Sequence, residues 1–381
     1  MKNNRIAFHE AYRLIGKNNP KKILMACVPA DGHFNPLTGL AKHLLASGYD
    51  VRWYSSPLYA AKLDKLNIPY FPFTIAKDIT ANNIHEFFPE RAAIKNPVSK
   101  LNFDIANFFI NRGPEYYADM VKIYTSFPFD LVIADCAFTG IPFITDLMNI
   151  PVVAVGVFPL TETSQDLPPS GLGKTPLKGF LGKTKHAIER FIANKLLFSK
   201  SNKLMKHVLG SYGIDPGTLS MFDVLVKKST LLLQSGTPGF EYHRSDLGKN
   251  IRFIGPLLPY TVAEKKAPWY DKRLHTYEKV VLVTQGTVEK DVEKLLVPTL
   301  EAFRDSDTLV IATTGGSYTD QLRSRFPGQN FIIEDFIPFT EVMPYASVYV
   351  TNGGYGGVML GIENELPFIV AGVHEGKNEI N

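Results

Sequence analysis

The sequence predicts an α/β protein built from two doubly wound domains. Three observations predict it. The chain has 381 residues, more than one hydrophobic core usually organises. Runs rich in Val, Ile and Leu alternate with helix-capable intervals in two successive rounds, as a parallel sheet requires. Between the rounds lies a break punctuated by Gly255, Pro256, Pro259 and Pro268. The domains are expected at residues 1–255 and 279–381, with 256–278 as the linker.

The first round opens with a strand at 23–28, a Gly-containing turn at 30–35, a helix at 37–47 and a strand at 51–54. Pro36 suits a first helical turn, where its missing N–H costs nothing, and Gly48 suits a left-handed C-terminal cap. Further strands are expected at 131–134, 152–157 and 230–234, with a Gly- and Pro-rich loop at 167–179 that is the best candidate for a mobile one. The second round places strands at 280–284, 308–313, 331–335, 348–351 and 368–373. The sequence ends at Asn381 in the expected first turn of another helix, so the second domain is expected to be truncated at its C-terminus.

Composition narrows the function classes. Hydrophobic residues make up 45% and charged residues 20%, values of a globular protein with a sizeable core. The longest apolar stretches, 150–160 and 368–373, fall short of the ~20 residues of a membrane span. The first twenty residues hold no apolar run of the secretory kind, which predicts a cytoplasmic location. Cys27 and Cys136, the two cysteines, give neither a disulfide framework nor a thiolate metal site, and no metal or cofactor is predicted. A net charge of +4 argues against a nucleic-acid partner.

One segment departs from this balance. Between 174 and 206, Lys174, Lys178, Lys183, Lys185, Arg190, Lys195, Lys200, Lys203 and Lys206 surround the single acid Glu189, while Ile188, Phe191, Ile192 and Leu196 recur at helical spacing. Such a segment suits peripheral contact with a membrane or with an anionic acceptor. A solvated helix face is the commoner reason for a charge run.

Two groups of residues carry candidate chemistry. His33 lies in the turn after the first strand, where open parallel sheets bind ligands, and an imidazole is the natural group to take a proton from a hydroxyl near neutral pH. Capping of the helix start would explain it equally well. Asp135 ends another strand of the same round, so the two strand ends can bring imidazole and carboxylate together; an N-cap for the next helix is its alternative role. Asp31 is a less favoured base. In the second round, Asn352, Gly353, Gly354, Tyr355, Gly356 and Gly357 connect a strand to a helix expected from Val358, a turn whose backbone amides and helix dipole suit a phosphate or diphosphate. Gln285, Gly286 and Thr287 form a second such turn.

Taken together, Val28 to Pro36, Thr284 to Thr287 and Thr351 to Gly357 resemble, in this order, the family 1 glycosyltransferases of GT-B fold, especially bacterial members grouped with macrolide glycosyltransferases. The resemblance implies two Rossmann-like domains facing a cleft. It also implies an inverting hexosyltransferase that moves sugar from a UDP- or dTDP-sugar to a hydroxyl of a small lipophilic acceptor, as in natural product glycosylation. His33 would be the base and Asp135 its support. Gly32 and Gly286 to Thr287 would contact the donor, as would the 352–357 turn and Phe336 with Ile337 beside it, Phe336 standing where the family's base-stacking aromatic falls.

This chain also departs from the family pattern. Phe339 replaces the family's Gln, Asn352 replaces a His, and Lys377 with Asn378 stand where an Asp-Gln pair holds sugar hydroxyls, leaving Glu375 or Glu379 to supply a carboxylate. Phe87, Phe88, Phe103, Phe108, Phe109 and Phe138 are candidates for an apolar acceptor lining. The alternatives are a catalytically silent GT-B-like protein that binds a nucleotide or a partner, motivated by Asn352 and Lys377, and a nucleotide-sugar epimerase.

Overall fold

A computed structural model describes residues 21–80, 82–260, 269–286, 289–372 and 377–381. The chain divides into two compact units. The first holds the described residues to 170 and from 175 to 260; the second holds 171–174 and the described residues from 269 onward. Part of the expected linker, 261–268, and Val373 of the expected last strand lie outside the described residues.

The first unit contains a seven-stranded parallel sheet in the order β3-β2-β1-β4-β5-β6-β7. Its strands are β1 (Lys22–Ala26), β2 (Asp50–Ser55), β3 (Tyr70–Pro72), β4 (Leu131–Asp135), β5 (Val152–Gly156), β6 (Leu231–Gln234) and β7 (Ile251–Phe253). Helices cover both faces, so the central strands are buried on both sides and read as continuous apolar runs; β5 is buried at every residue. One core cluster gathers Leu24, Ala26, Val132, Ala134 and Phe138, and another Met25, Phe34, Leu37, Trp53 and Ile133.

The edge strands β3 and β7 are absent from the sequence reading. Each has three residues, too few for a periodicity, and β3 ends on Pro72, which a sheet edge tolerates. The chain after β3 is fixed instead by a carboxylate. Buried Asp119, on the helix Gly113–Ser126, accepts from the Tyr54 hydroxyl at 2.7 Å and from the amides of Thr74, Ile75 and Ala76 at 3.0, 2.9 and 3.1 Å, besides the Thr74 hydroxyl. Burial raises its pKa, but these bonds outweigh burial and hold it below the ordinary carboxylate value.

The second unit contains a five-stranded parallel sheet in the order β10-β9-β8-β11-β12, with β8 (Lys279–Thr284), β9 (Thr308–Thr313), β10 (Phe331–Glu334), β11 (Val348–Thr351) and β12 (Phe368–Val370). Strand β9 is buried throughout, as a strand covered on both faces should be.

Two local expectations need correction. The helix after β1 spans Asp31–Ala46, so 31–35 is helical and Pro36 lies inside the helix. Its missing N–H costs one hydrogen bond, to the Gly32 carbonyl, near an end where few bonds have yet formed. Likewise the helix after β11 spans Tyr355–Glu363, placing Gly356 and Gly357 in its first turn. The cap at Gly48 is as expected, with φ of 87°.

Candidate active site

In the first sheet the chain runs outward from β1 through β2 to β3, then returns to place β4 on the other side of β1. The β1/β4 junction is therefore the topological switch point, where the ends of diverging connections leave a crevice. Ala26 pairs with Ala134 in register, so Asp135 and the turn after β1 emerge at the same level.

The structure brings His33 and Asp135 together there. His33 Nδ1 lies 2.8 Å from Asp135 Oδ1. Asp135 is fully buried, and its two oxygens also accept the amides of Ala137 and Val28, each at 2.8 Å. A carboxylate that already accepts two amide hydrogens orients the ring so that Nδ1 donates to it, leaving the Nε2 lone pair free. The His33 side chain is 19% exposed, and Phe158 meets its ring edge-on with centroids 5.8 Å apart. Its neighbour Phe34 is buried and stacks on Tyr59 at 4.0 Å, which fixes the start of the helix.

Neither alternative role survives. Ala30 occupies the N-cap before His33 with no side-chain cap, and the helix after Asp135 starts at Ile141 behind Gly140. Asp31, the less favoured base, pairs instead with Lys62 at 2.7 Å. Gly32 is exposed beside His33, with open space where a Cβ would stand. Burial, reinforced by the Asp135 charge, pushes the thiols of Cys27 and Cys136 up, which keeps them protonated and unreactive.

The second sheet repeats the logic. Its order reverses between β8 and β11, and both glycine turns leave the sheet there, since Thr284 pairs with Thr351 in register. Gly286 and Gly353 have φ of 75° and 79°, values that glycine alone adopts without strain. The Asn352 amide donates to the Gln285 carbonyl and ties the turns together. The Asn352 side chain is therefore committed to the backbone of the opposite turn.

Gly354 caps the helix, Tyr355 is buried, and Gly356 is exposed with open space around its Cα. Gly357 has a packing reason, because a Cβ there would meet the Tyr349 hydroxyl at 2.8 Å. Thr287 and Glu375 lie outside the described residues.

The remaining candidates separate. Phe336 is 68% exposed, whereas Ile337 is buried in the core with Val342 and Met343, so its side chain is not a contact surface. Lys377 runs its stem beside Gly372, which itself abuts the Asn352 carbonyl, so it lies next to the glycine turn. Asn378 lies against Gly173, and the Glu379 carboxylate accepts the Gly171 amide at 2.5 Å, a bond that commits it to residues 171–174.

Sequence reasoning missed the Gly315 and Gly316 turn after β9, both at positive φ, where a Cβ on Gly316 would meet the Phe336 ring at 3.8 Å. The paired glycines were the available signal. Of the candidate acceptor phenylalanines, Phe138 is core, while Phe88 meets Phe103 and Phe108 edge-on at 5.6 Å and Phe87 is exposed.

The chain is similar to known glycosyltransferases. No family model matches the chain. It is 29% identical to 4'-demethylrebeccamycin synthase of Lentzea aerocolonigenes over 94% of this chain and 84% of that protein. It is 28% identical to UDP-glucosyltransferase 1 of Beauveria bassiana over 96% and 83% of the two chains. Among solved structures, the glycotransferase of kitacinnamycin superposes with a TM-score of 0.71 at 18% identity, covering 95% of this chain and 83% of its own. The calicheamicin glycosyltransferase CalG4 superposes with 0.64 at 18% identity, covering 93% and 79%. The chain has the GT-B fold of these structures, and the proteins it is similar to over most of its length include several named as glycosyltransferases.

Proposed function

We propose that the protein is an inverting enzyme transferring a hexose from a nucleoside diphosphate donor, UDP- or dTDP-linked, to a hydroxyl of a small lipophilic acceptor. The observation that carries this reading is the buried Asp135 carboxylate 2.8 Å from His33 Nδ1 at a switch point of the first sheet. Asp135 holds the ring so that Nε2 takes the acceptor hydroxyl proton. The oxygen then attacks the anomeric carbon, the bond from that carbon to the diphosphate oxygen breaks, and the nucleoside diphosphate leaves.

The donor diphosphate is assigned to the turns at Gly286 and 352–354 with the amides of Tyr355 and Gly356, which offer hydrogen bonds and a helix dipole to the departing charge. Phe336 is assigned to the nucleobase and Lys377 to the donor's polar end. The Phe88, Phe103 and Phe108 cluster favours an apolar acceptor. A cytoplasmic location belongs to the same proposal; among the described residues no helix is long and apolar enough to cross a membrane.

The test is calorimetry of the full chain against UDP, dTDP, GDP and their sugars. One nucleotide should bind saturably, and Phe336→Ala should weaken it roughly tenfold, since stacking on an aromatic face contributes about 1–3 kcal/mol. Absence of binding by the folded chain would overturn the donor assignment.

A further inference from the structure

The helix Gly179–Ile192 continues without a break through a π-helical turn, Ala193–Leu197, and its attachment is unusual for an amphipathic helix. Gly182, His186 and Ala193 are buried. Gly182 is pressed to the Leu177 carbonyl, where a Cβ would sit 2.1 Å from the oxygen. His186 Nε2 accepts the Leu177 amide at 3.0 Å, and Arg190 donates to the Leu167 carbonyl at 2.6 Å. A narrow side of small and polar groups holds the helix to the protein. Its apolar side faces out.

Phe180 and Leu181 are each 82% exposed and Leu196 72%, with Ile188, Phe191 and Ile192 also exposed. At about 100° per residue, Phe180, Phe191, Ile188, Leu181 and Ile192 share one arc of roughly 120°, opposite Gly182 and His186. Lys183 and Lys185 border the arc, and Lys178, Lys195, Lys200, Lys203 and Lys206 are exposed along the same segment. Lys183 reaches Asp166 at 2.9 Å; among the described residues the other six make no ion pair. The sequence alone favoured a charged face turned to solvent. The structure turns an apolar one there.

A contiguous apolar face rimmed by cations marks a docking surface. The lysine border decides what docks. Two copies meeting face to face would oppose their own lysines, whereas anionic headgroups complement them while acyl chains receive the rings. We propose that this helix seats the protein on an anionic lipid bilayer, the Phe180 to Leu196 face in the acyl boundary and the lysines among the phosphates. The inference stands on observations separate from the dyad and the donor turns.

Co-sedimentation of the full chain with vesicles tests it. Vesicles of phosphatidylcholine containing phosphatidylglycerol should bind the protein at least roughly tenfold more tightly than phosphatidylcholine alone, and added salt should weaken the binding. The exposed double substitution Leu181→Asp with Phe191→Asp should lower it at least about 100-fold with an unchanged circular dichroism spectrum. Lys185→Gln with Lys195→Gln should lower it roughly 25-fold, about fivefold per lysine. The proposal is overturned by absence of binding to the anionic vesicles, or by equal, salt-independent binding to both kinds. It is also overturned if sedimentation velocity shows a dimer that the aspartate variant dissolves while vesicles bind neither form, because the face would then belong to a second copy.

Discussion

His33→Ala lowers the rate of sugar transfer by about 10³-fold, within the range of a positioned general base, while the affinity for the nucleoside diphosphate stays within about twofold. The expectation follows from where His33 stands. Its ring contacts Asp135 and Phe158 in the first unit, and the residues assigned to the donor diphosphate lie on turns of the second sheet. The side chain is partly exposed at the start of a helix whose anchoring is done by Phe34 and Leu37, so its removal leaves the fold standing. Rate measurements at saturating donor, paired with calorimetry of the nucleotide, check both halves. Equal loss of binding and turnover would show that His33 acts through the structure instead.

Asp135→Asn is the second large effect, expected at about 10²–10⁴-fold in kcat. The wild-type carboxylate accepts three hydrogens, from Val28, Ala137 and the His33 ring. The ring and the Ala137 amide share Oδ1, while Val28 takes Oδ2. An NH₂ in place of Oδ1 makes Nδ1 the acceptor, moves the proton to Nε2, the nitrogen needed as base, and unpairs the Ala137 amide. An NH₂ in place of Oδ2 unpairs the Val28 amide and leaves Nδ1 donating to an oxygen without the carboxylate charge. Either way a buried donor is left unpaired, at a cost of about 1–3 kcal/mol. Thermal unfolding should therefore show a lowered Tm, and kinetics of the same preparation a lowered kcat. An unchanged kcat would remove Asp135 from the mechanism.

Much of this was legible in the sequence, for physical reasons that can be named. Central parallel strands bury both faces, and that requirement writes itself as runs such as Thr308–Thr313, so ten of the twelve strands could be placed. The three-residue edges β3 and β7 carry no such pattern and are held by their neighbours, including the long-range bonds to Asp119. The dyad was legible because both residues follow strand ends. The switch points were not, because strand order depends on pairings between residues far apart in the chain.

Helix starts were misplaced at Asp31 and Tyr355 for a common reason. Gly32, Gly356 and Gly357 suit a turn by sequence, yet in both places buried aromatics, Phe34 and Tyr355, pin the first turn in helical form. The outward apolar face of the helix at 179–192 was equally hidden, since periodicity locates a stripe without saying which side it covers.

The configuration of the sugar in the product tests the central claim most directly. Direct attack by a hydroxyl that His33 has deprotonated proceeds in one displacement, so an α-linked nucleotide sugar must give a β-linked product, readable from the anomeric proton coupling by NMR. The α-linked product would require two displacements or front-face transfer, and would contradict the role given to His33 and Asp135.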